Sequence, residues 1–209
     1  MRVTDLLAQW RALLTRHSVS PAIEAVGAAL LARWAEPHRR YHDLSHLRGV
    51  LDAVEELVDV ADDADAVRLA AWYHDAVYAG QPDDEENSAL LAESDLTALG
   101  AAPELVAEVA RLVRLTVEHD PGPRDHNGQV LSDADLAVLG LPSEDYRRNT
   151  AKVRAEYRHV TETDFRAGRV RIIGALLSAP SLYRTERGRQ LWEDAARDNM
   201  SAELRSLSD

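Results

Sequence analysis

Two adjacent ionisable residues, His74 and Asp75, stand inside one of the most apolar stretches of the chain, Leu-Ala-Ala-Trp-Tyr-His-Asp-Ala-Val-Tyr-Ala over residues 69–79. A helix that is apolar on every side is buried all round. A carboxylate inside it costs several kcal/mol unless something compensates its charge. Two chemistries satisfy the pair. One is a core histidine hydrogen-bonded to its neighbouring acid. The other is joint ligation of one metal ion, which supplies the missing charge.

Two other positions favour the second chemistry. Asp43 reads as the N-cap of a helix, which leaves His42 just outside it and puts His46 in the first turn, at the edge of the stripe Leu47, Val50, Leu51, Val54, Leu57 and Val58. Such a histidine is ordinarily a surface or capping residue, but its side chain can also point into a site at the core's margin. Further on, Ser132-Asp133-Ala134-Asp135 offers two acids. Residues two apart on a helix are about 200° apart, so both cannot face one ion. Leu136, Val138 and Leu139 define an apolar face with Asp135 near its middle, which makes Asp135 the expected ligand. Asp133 falls at the polar edge and reads as a capping or dipole residue. Two imidazoles and two carboxylates suit one divalent ion such as Mn, Fe, Co, Ni, Zn or Mg.

The elements that must position these groups read as helices throughout. Val3, Leu6, Leu7, Trp10, Leu13 and Leu14 recur at helical spacing. Ser20-Pro21 reads as a cap and first helical residue for a run to Trp34. The helix bearing His74 is expected to continue to Ala79, with Gly80 and Pro82 ending it. An acidic run, Asp83 to Glu86, opens the next helix, where acids suit the dipole. Gly100 closes that helix and Pro103 opens another. Residues 119–129 read as the one long loop, followed by a short helix over 131–140. Ser143 caps a further helix, and two more follow from about Asp164 and Glu186. No strand, repeat or linker is evident, so the expected fold is all-α, one domain over 1–209 with its motif-bearing core at about 39–180.

Composition narrows the function. At 209 residues with 45% hydrophobic residues the chain has the makings of a sizeable core, built on Leu, Val and Ala because only one Phe occurs. The net charge of -12 argues against general nucleic-acid binding, which needs a basic face. With no cysteine there is no disulfide, thiolate site or cysteine nucleophile. The first sixteen residues lack the apolar segment of a signal peptide, and no apolar run is long enough to span a bilayer. The expectation is a cytoplasmic protein with no membrane partner; its oligomeric state is not legible.

The order His46, His74-Asp75, Asp135 resembles the HD superfamily of metal-dependent phosphohydrolases, an all-α fold. His46-Leu47-Arg48-Gly49-Val50 fits that superfamily's first-histidine helix, and Asp135 followed by Leu139-Gly140 fits its last-aspartate helix. More narrowly, the chain is similar to a bacterial group of predicted phosphohydrolases of this superfamily. The matching pieces are Arg39-x-Tyr41-His42-x-x-x-His46, Trp72-Tyr73-His74-Asp75-x-Val77-Tyr78, Glu85-Glu86-x-Ser88-Ala89, Thr116-x-x-His119, Ser132-Asp133-Ala134-Asp135-Leu136 and Arg154-x-Glu156-Tyr157. One departure is Asp84-Glu85, where the group has Asn-Glu. The resemblance implies an all-α fold, a single divalent ion on His46, His74, Asp75 and Asp135, and a small phosphorylated substrate, with no indication of which.

Given such an ion, Glu85 or Glu86 is a candidate to orient or deprotonate a water. Arg39, His42 and His119 are candidates to hold phosphate or protonate the leaving oxygen. His17, His38, His126 and His159 read as surface residues. Two alternatives accompany the hydrolase: a non-hydrolytic protein that binds a nucleotide or metal as a sensor, and a di-iron oxygenase drawing on His42 and His119. His42 and His46 also have the zinc-peptidase spacing, but the general-base glutamate is missing.

Overall fold

Leu6, Trp10, Leu13 and Leu14 share the buried face of α1 (Val3–Leu14), and the Trp10 indole donates to the Ile23 carbonyl at 2.7 Å, joining it to the start of α2 (Ile23–Trp34). Gly27 makes the approach possible. A Cβ there would lie 2.2 Å from the Trp10 ring, so any other residue would drive the two helices apart. The computed structural model describes residues 3–208 and is all-α, with no strand among them. The other helices are α3 (Leu44–Leu57), α4 (Ala64–Tyr73), α5 (Asp84–Ala98), α6 (Pro103–Leu115), α7 (His126–Leu136), α8 (Ser143–Glu156), α9 (Glu162–Ser178) and α10 (Glu186–Ser208).

The main core is formed by α1 to α7, around Trp10, Trp34, Trp72 and Tyr73. A smaller core joins α8, α9, the 182–183 segment and α10 through Tyr146, Ile173, Tyr183 and Met200. Trp192 packs against both, and the seam between them runs beside α3 and α7. No helix of the described residues is long and apolar enough to cross a membrane.

Several boundaries differ from the sequence expectation. The helix carrying His74 stops at Tyr73 instead of Ala79. Beyond it the backbone is satisfied by side chains. Arg39 takes the carbonyls of Asp75 and Ala76, the Ser88 hydroxyl exchanges bonds with both polar groups of Val77, and Asp84 accepts from the N–H groups of Ala79 and Gln81. With those groups engaged, nothing favours continuing the helical ladder. Helix α7 begins at His126, inside the expected loop, because Asp125 caps it by accepting from the Gly128 N–H. Ser20 does not cap α2, which starts at Ile23, and Ser143 is the first residue of α8 instead of its cap.

Candidate metal centre

Asp43 caps α3, accepting from the N–H groups of Ser45 and His46, and so fixes the turn from which His46 reaches inward. His74 is the last residue of the α4 spiral, and Asp75 opens the turn behind it. Asp135 comes from the end of α7. These three segments bring four donor atoms together. His46 Nε2 lies 3.2 Å from His74 Nε2, 3.4 Å from Asp75 Oδ2 and 3.1 Å from Asp135 Oδ1. His74 Nε2 lies 3.1 Å from Asp75 Oδ2 and 3.6 Å from Asp135 Oδ1.

His46, His74 and Asp75 form a group that can hold a metal ion, and Asp135 stands at its edge. With metal–ligand bonds of about 2.1 Å, neighbouring ligands sit roughly 3.0–3.5 Å apart in octahedral or tetrahedral geometry. Four of the five separations fall within that spacing, and His74 to Asp135, at 3.6 Å, lies just outside it. The His74 ring also has the required tautomer. Its Nδ1 lies 2.9 Å from the Ala71 carbonyl, which can only accept, so Nδ1 carries a proton and Nε2 is the nitrogen that would offer a lone pair to a metal. Both imidazoles are buried, on a floor formed by Trp34, whose ring lies 5.4 Å from His74.

The electrostatics of the four groups call for a cation. Burial works to depress His74, but Asp75 and Asp135 outweigh it and hold His74 well above the ordinary histidine value. His46 is likewise raised, burial being overcome by Asp135 and Asp75. Burial raises both carboxylates in turn. The histidines more than offset this, His74 acting first on Asp75 and His119 first on Asp135, and both acids end well below their usual range. Protons meet the demand for positive charge when no metal does.

The residues around the cluster differ in how close they come to it. His119 Nε2 bonds with Asp135 Oδ2 at 2.8 Å, on the oxygen turned away from the imidazoles. It lies in the left-handed region with φ +51°, a turn that brings its ring back towards α7. His42 stacks on Tyr78 with centroids 4.1 Å apart, and its Nδ1 meets Glu156 Oε1 at 2.5 Å. Glu156 also accepts from the N–H groups of Arg40, Tyr41 and His42. Burial opposes its charge, but His42 and those N–H groups outweigh it and bring Glu156 down to about 2.

Three expectations are corrected. The Arg39 guanidinium is fully buried and bonds with Glu36 and the carbonyls of His42, Asp75 and Ala76, so it lies beneath the site and does not face a ligand. Glu86 is exposed, and both of its carboxylate oxygens are taken by Arg114. Asp133, expected at a polar edge, is wholly buried and accepts from the N–H groups of Arg184 and Thr185 and from the Thr185 hydroxyl, tying down the start of α10. Glu85 is half-buried, and its carboxylate bonds with no described residue. His38 and His159 are exposed, while His17 and His126 are half-buried, against Asp65 and Asp62.

Three neighbours escaped the sequence reading of the site. Tyr41 lies 5.1 Å from the His46 ring, and its hydroxyl bonds with no described residue. Burial, then Asp135 and Asp75, raises its pKa, so it remains a hydroxyl donor. Asn149 lines the hollow over His46 and Asp135, and Glu156 fixes the backbone of residues 40–42. Only Tyr41 and Glu156 carried a signal, through their places in the motifs around Arg39 and Arg154. Comparison with protein-family models, curated proteins and solved structures gives no match to this chain.

Proposed function

We propose that this protein is a metal-dependent phosphohydrolase acting on a small phosphorylated molecule. The observation that carries the reading is the convergence of His46 Nε2, His74 Nε2, Asp75 Oδ2 and Asp135 Oδ1 at ligand spacing beside an open hollow of about 320 Å³. These four residues would hold one divalent ion. Bound there, such an ion supplies Lewis acidity towards a phosphoryl oxygen and lowers the pKa of a coordinated water.

The chain's own groups provide the rest. His42 has its Nδ1 engaged by Glu156, which leaves Nε2 to carry a proton to the leaving oxygen. The free Tyr41 hydroxyl is placed to donate to a phosphoryl oxygen. His119 acts on the site through Asp135, holding the carboxylate so that its other oxygen faces the imidazoles. Glu85, with no partner of its own, is the remaining candidate to orient a water.

The test is metal analysis of the purified protein together with phosphate release from nucleotides, alkyl phosphates and sugar phosphates, with Mn, Co, Ni, Zn or Mg supplied. Metal-dependent turnover abolished by His74→Ala supports the reading. Metal binding without turnover on any of these would replace it with the sensor, and two irons with oxygen uptake would replace it with the oxygenase.

A further inference from the structure

A second hollow, of about 430 Å³, lies between α8 and α9. It meets the hollow over the cluster at Tyr41, Val138 and Asn149, which line both. Its volume falls within the roughly 300–1,000 Å³ of small-ligand pockets. Its walls are mainly the rings and alkyl groups of Tyr146, Val153, Tyr157, Phe165 and Ile172.

The polar groups that reach this hollow are mostly engaged elsewhere. Arg169 makes a bidentate pair with Glu203 through Nε and Nη2. The Tyr146 hydroxyl donates to the same carboxylate, and the Thr150 hydroxyl bonds with the Tyr146 carbonyl. The charge of Arg169 is therefore neutralised within the wall. What is left for a ligand is the Nη1 side of Arg169, the Asn149 amide, the Tyr41 hydroxyl, the Tyr157 O–H, His42 Nε2 and one oxygen of Asp164, a few groups spread round a wall that is otherwise rings and alkyl chains. A polyhydroxylated sugar would turn most of its hydroxyls against those rings and alkyl groups, and each buried hydroxyl without a partner is costly. A chain of phosphates needs net positive charge, which the paired arginine does not provide.

We infer that the hollow between α8 and α9 binds the organic group of the substrate, and that this group is a largely apolar, uncharged ring system joined to phosphate as a monoester. The inference rests on the proposed hydrolase reading for its phosphoryl end only. The phosphate would lie beside His46 and Asp135, with Tyr41 and Asn149 at the neck and the ring between Tyr146 and Phe165.

Gly168 offers a direct test. It lines the hollow from α9, and a Cβ built on it meets nothing within 4 Å, so a side chain introduced there starts in open space and Gly168→Leu is expected to take up ligand volume. The replacement also removes a mid-helix glycine, which favours the fold. Two alkyl esters of similar leaving-group basicity, naphthylmethyl phosphate and ethyl phosphate, are compared on the metal-loaded protein. The expected kcat/KM ratio favours naphthylmethyl phosphate by about ten- to a hundredfold, as burial of a ring system implies. That ratio should fall in steps through Gly168→Ala and Gly168→Leu, mainly through KM, with circular dichroism unchanged. A ratio near one in the parent protein, a preference for glucose 6-phosphate or pyrophosphate, or an unaltered ratio in Gly168→Leu would overturn the inference.

The non-hydrolysable naphthylmethyl phosphonate separates this inference from the hydrolase reading. Its binding, measured by calorimetry, should weaken at least tenfold in Gly168→Leu. Such binding without turnover of any ester would leave the pocket standing and remove the hydrolase. Turnover with no binding preference for the ring would do the reverse.

Discussion

The Arg39 guanidinium donates to the Asp75 carbonyl at 2.7 Å, across 36 residues of chain, from a side chain with no exposure to solvent. The same group takes the Ala76 carbonyl at 3.1 Å and lies 5.5 Å from the Trp34 and Tyr78 ring centroids. It therefore holds the backbone that presents Asp75, and ties the cluster to the aromatic floor beneath it. Arg39→Met should cost about 3–5 kcal/mol in urea unfolding, because buried carbonyls lose a charged donor. Bound metal should weaken although no ligand has changed. A variant with full stability and full metal content would contradict this role.

The four donor groups predict a pH dependence with a definite sign. In the metal-free protein His46 and His74 are raised above the ordinary histidine value, so protons compete with metal below those raised values. Stability from the protonated imidazoles is fully present below the unfolded value of 6.5 and is lost as pH rises through the raised values. Metal replaces it there. The gain in Tm on adding Zn or Mn should be larger at about pH 8 than at about pH 6. A larger gain at the lower pH would be incompatible with ligation by these histidines.

The two acids of α7 should separate cleanly. Asp135→Asn is expected to lose most bound metal and most activity, since its Oδ1 faces both imidazoles. Asp133→Asn should keep the metal but destabilise the fold by about 2–4 kcal/mol, because a buried amide cannot accept all three bonds that Asp133 now accepts. Metal content by mass spectrometry and a denaturation curve on each variant decide the matter. The reverse pattern would exchange the two roles.

His42 and Glu156 should behave as a unit. His42→Ala is expected to lower kcat by about a hundredfold on alkyl phosphates, where the leaving oxygen needs a proton, while metal content stays near the parent value. Glu156→Gln should reproduce part of the loss and weaken the fold as well, since the carboxylate holds three N–H groups of residues 40–42. The Glu156 contribution to stability is present above the ordinary glutamate value and is lost as pH falls towards about 2. Equal activity of His42→Ala and the parent protein would remove the proton-transfer role.

The parts of this protein that depend on local pattern were legible in its sequence. Apolar spacing in α1, α3 and α6, the Asp43 cap and Pro103 at a helix start each follow from interactions within a turn or two of chain. So does the anomaly of an acid and a histidine in an apolar run, which needed a partner for its charge wherever the chain took it. The helical wheel also picked out Asp135 over Asp133 as the acid nearer the imidazoles, but the tertiary structure alone decided where α4 ends, what Arg39 holds, and that Asp133 is buried. Those outcomes rest on bonds from Arg39 to Asp75 and from Thr185 to Asp133, pairs far apart in the chain, which no helical wheel contains. The wheel ranks residues by one helix's apolar face; Asp133 is buried because the segment leading into α10, about fifty residues later, brings the N–H groups of Arg184 and Thr185 against it.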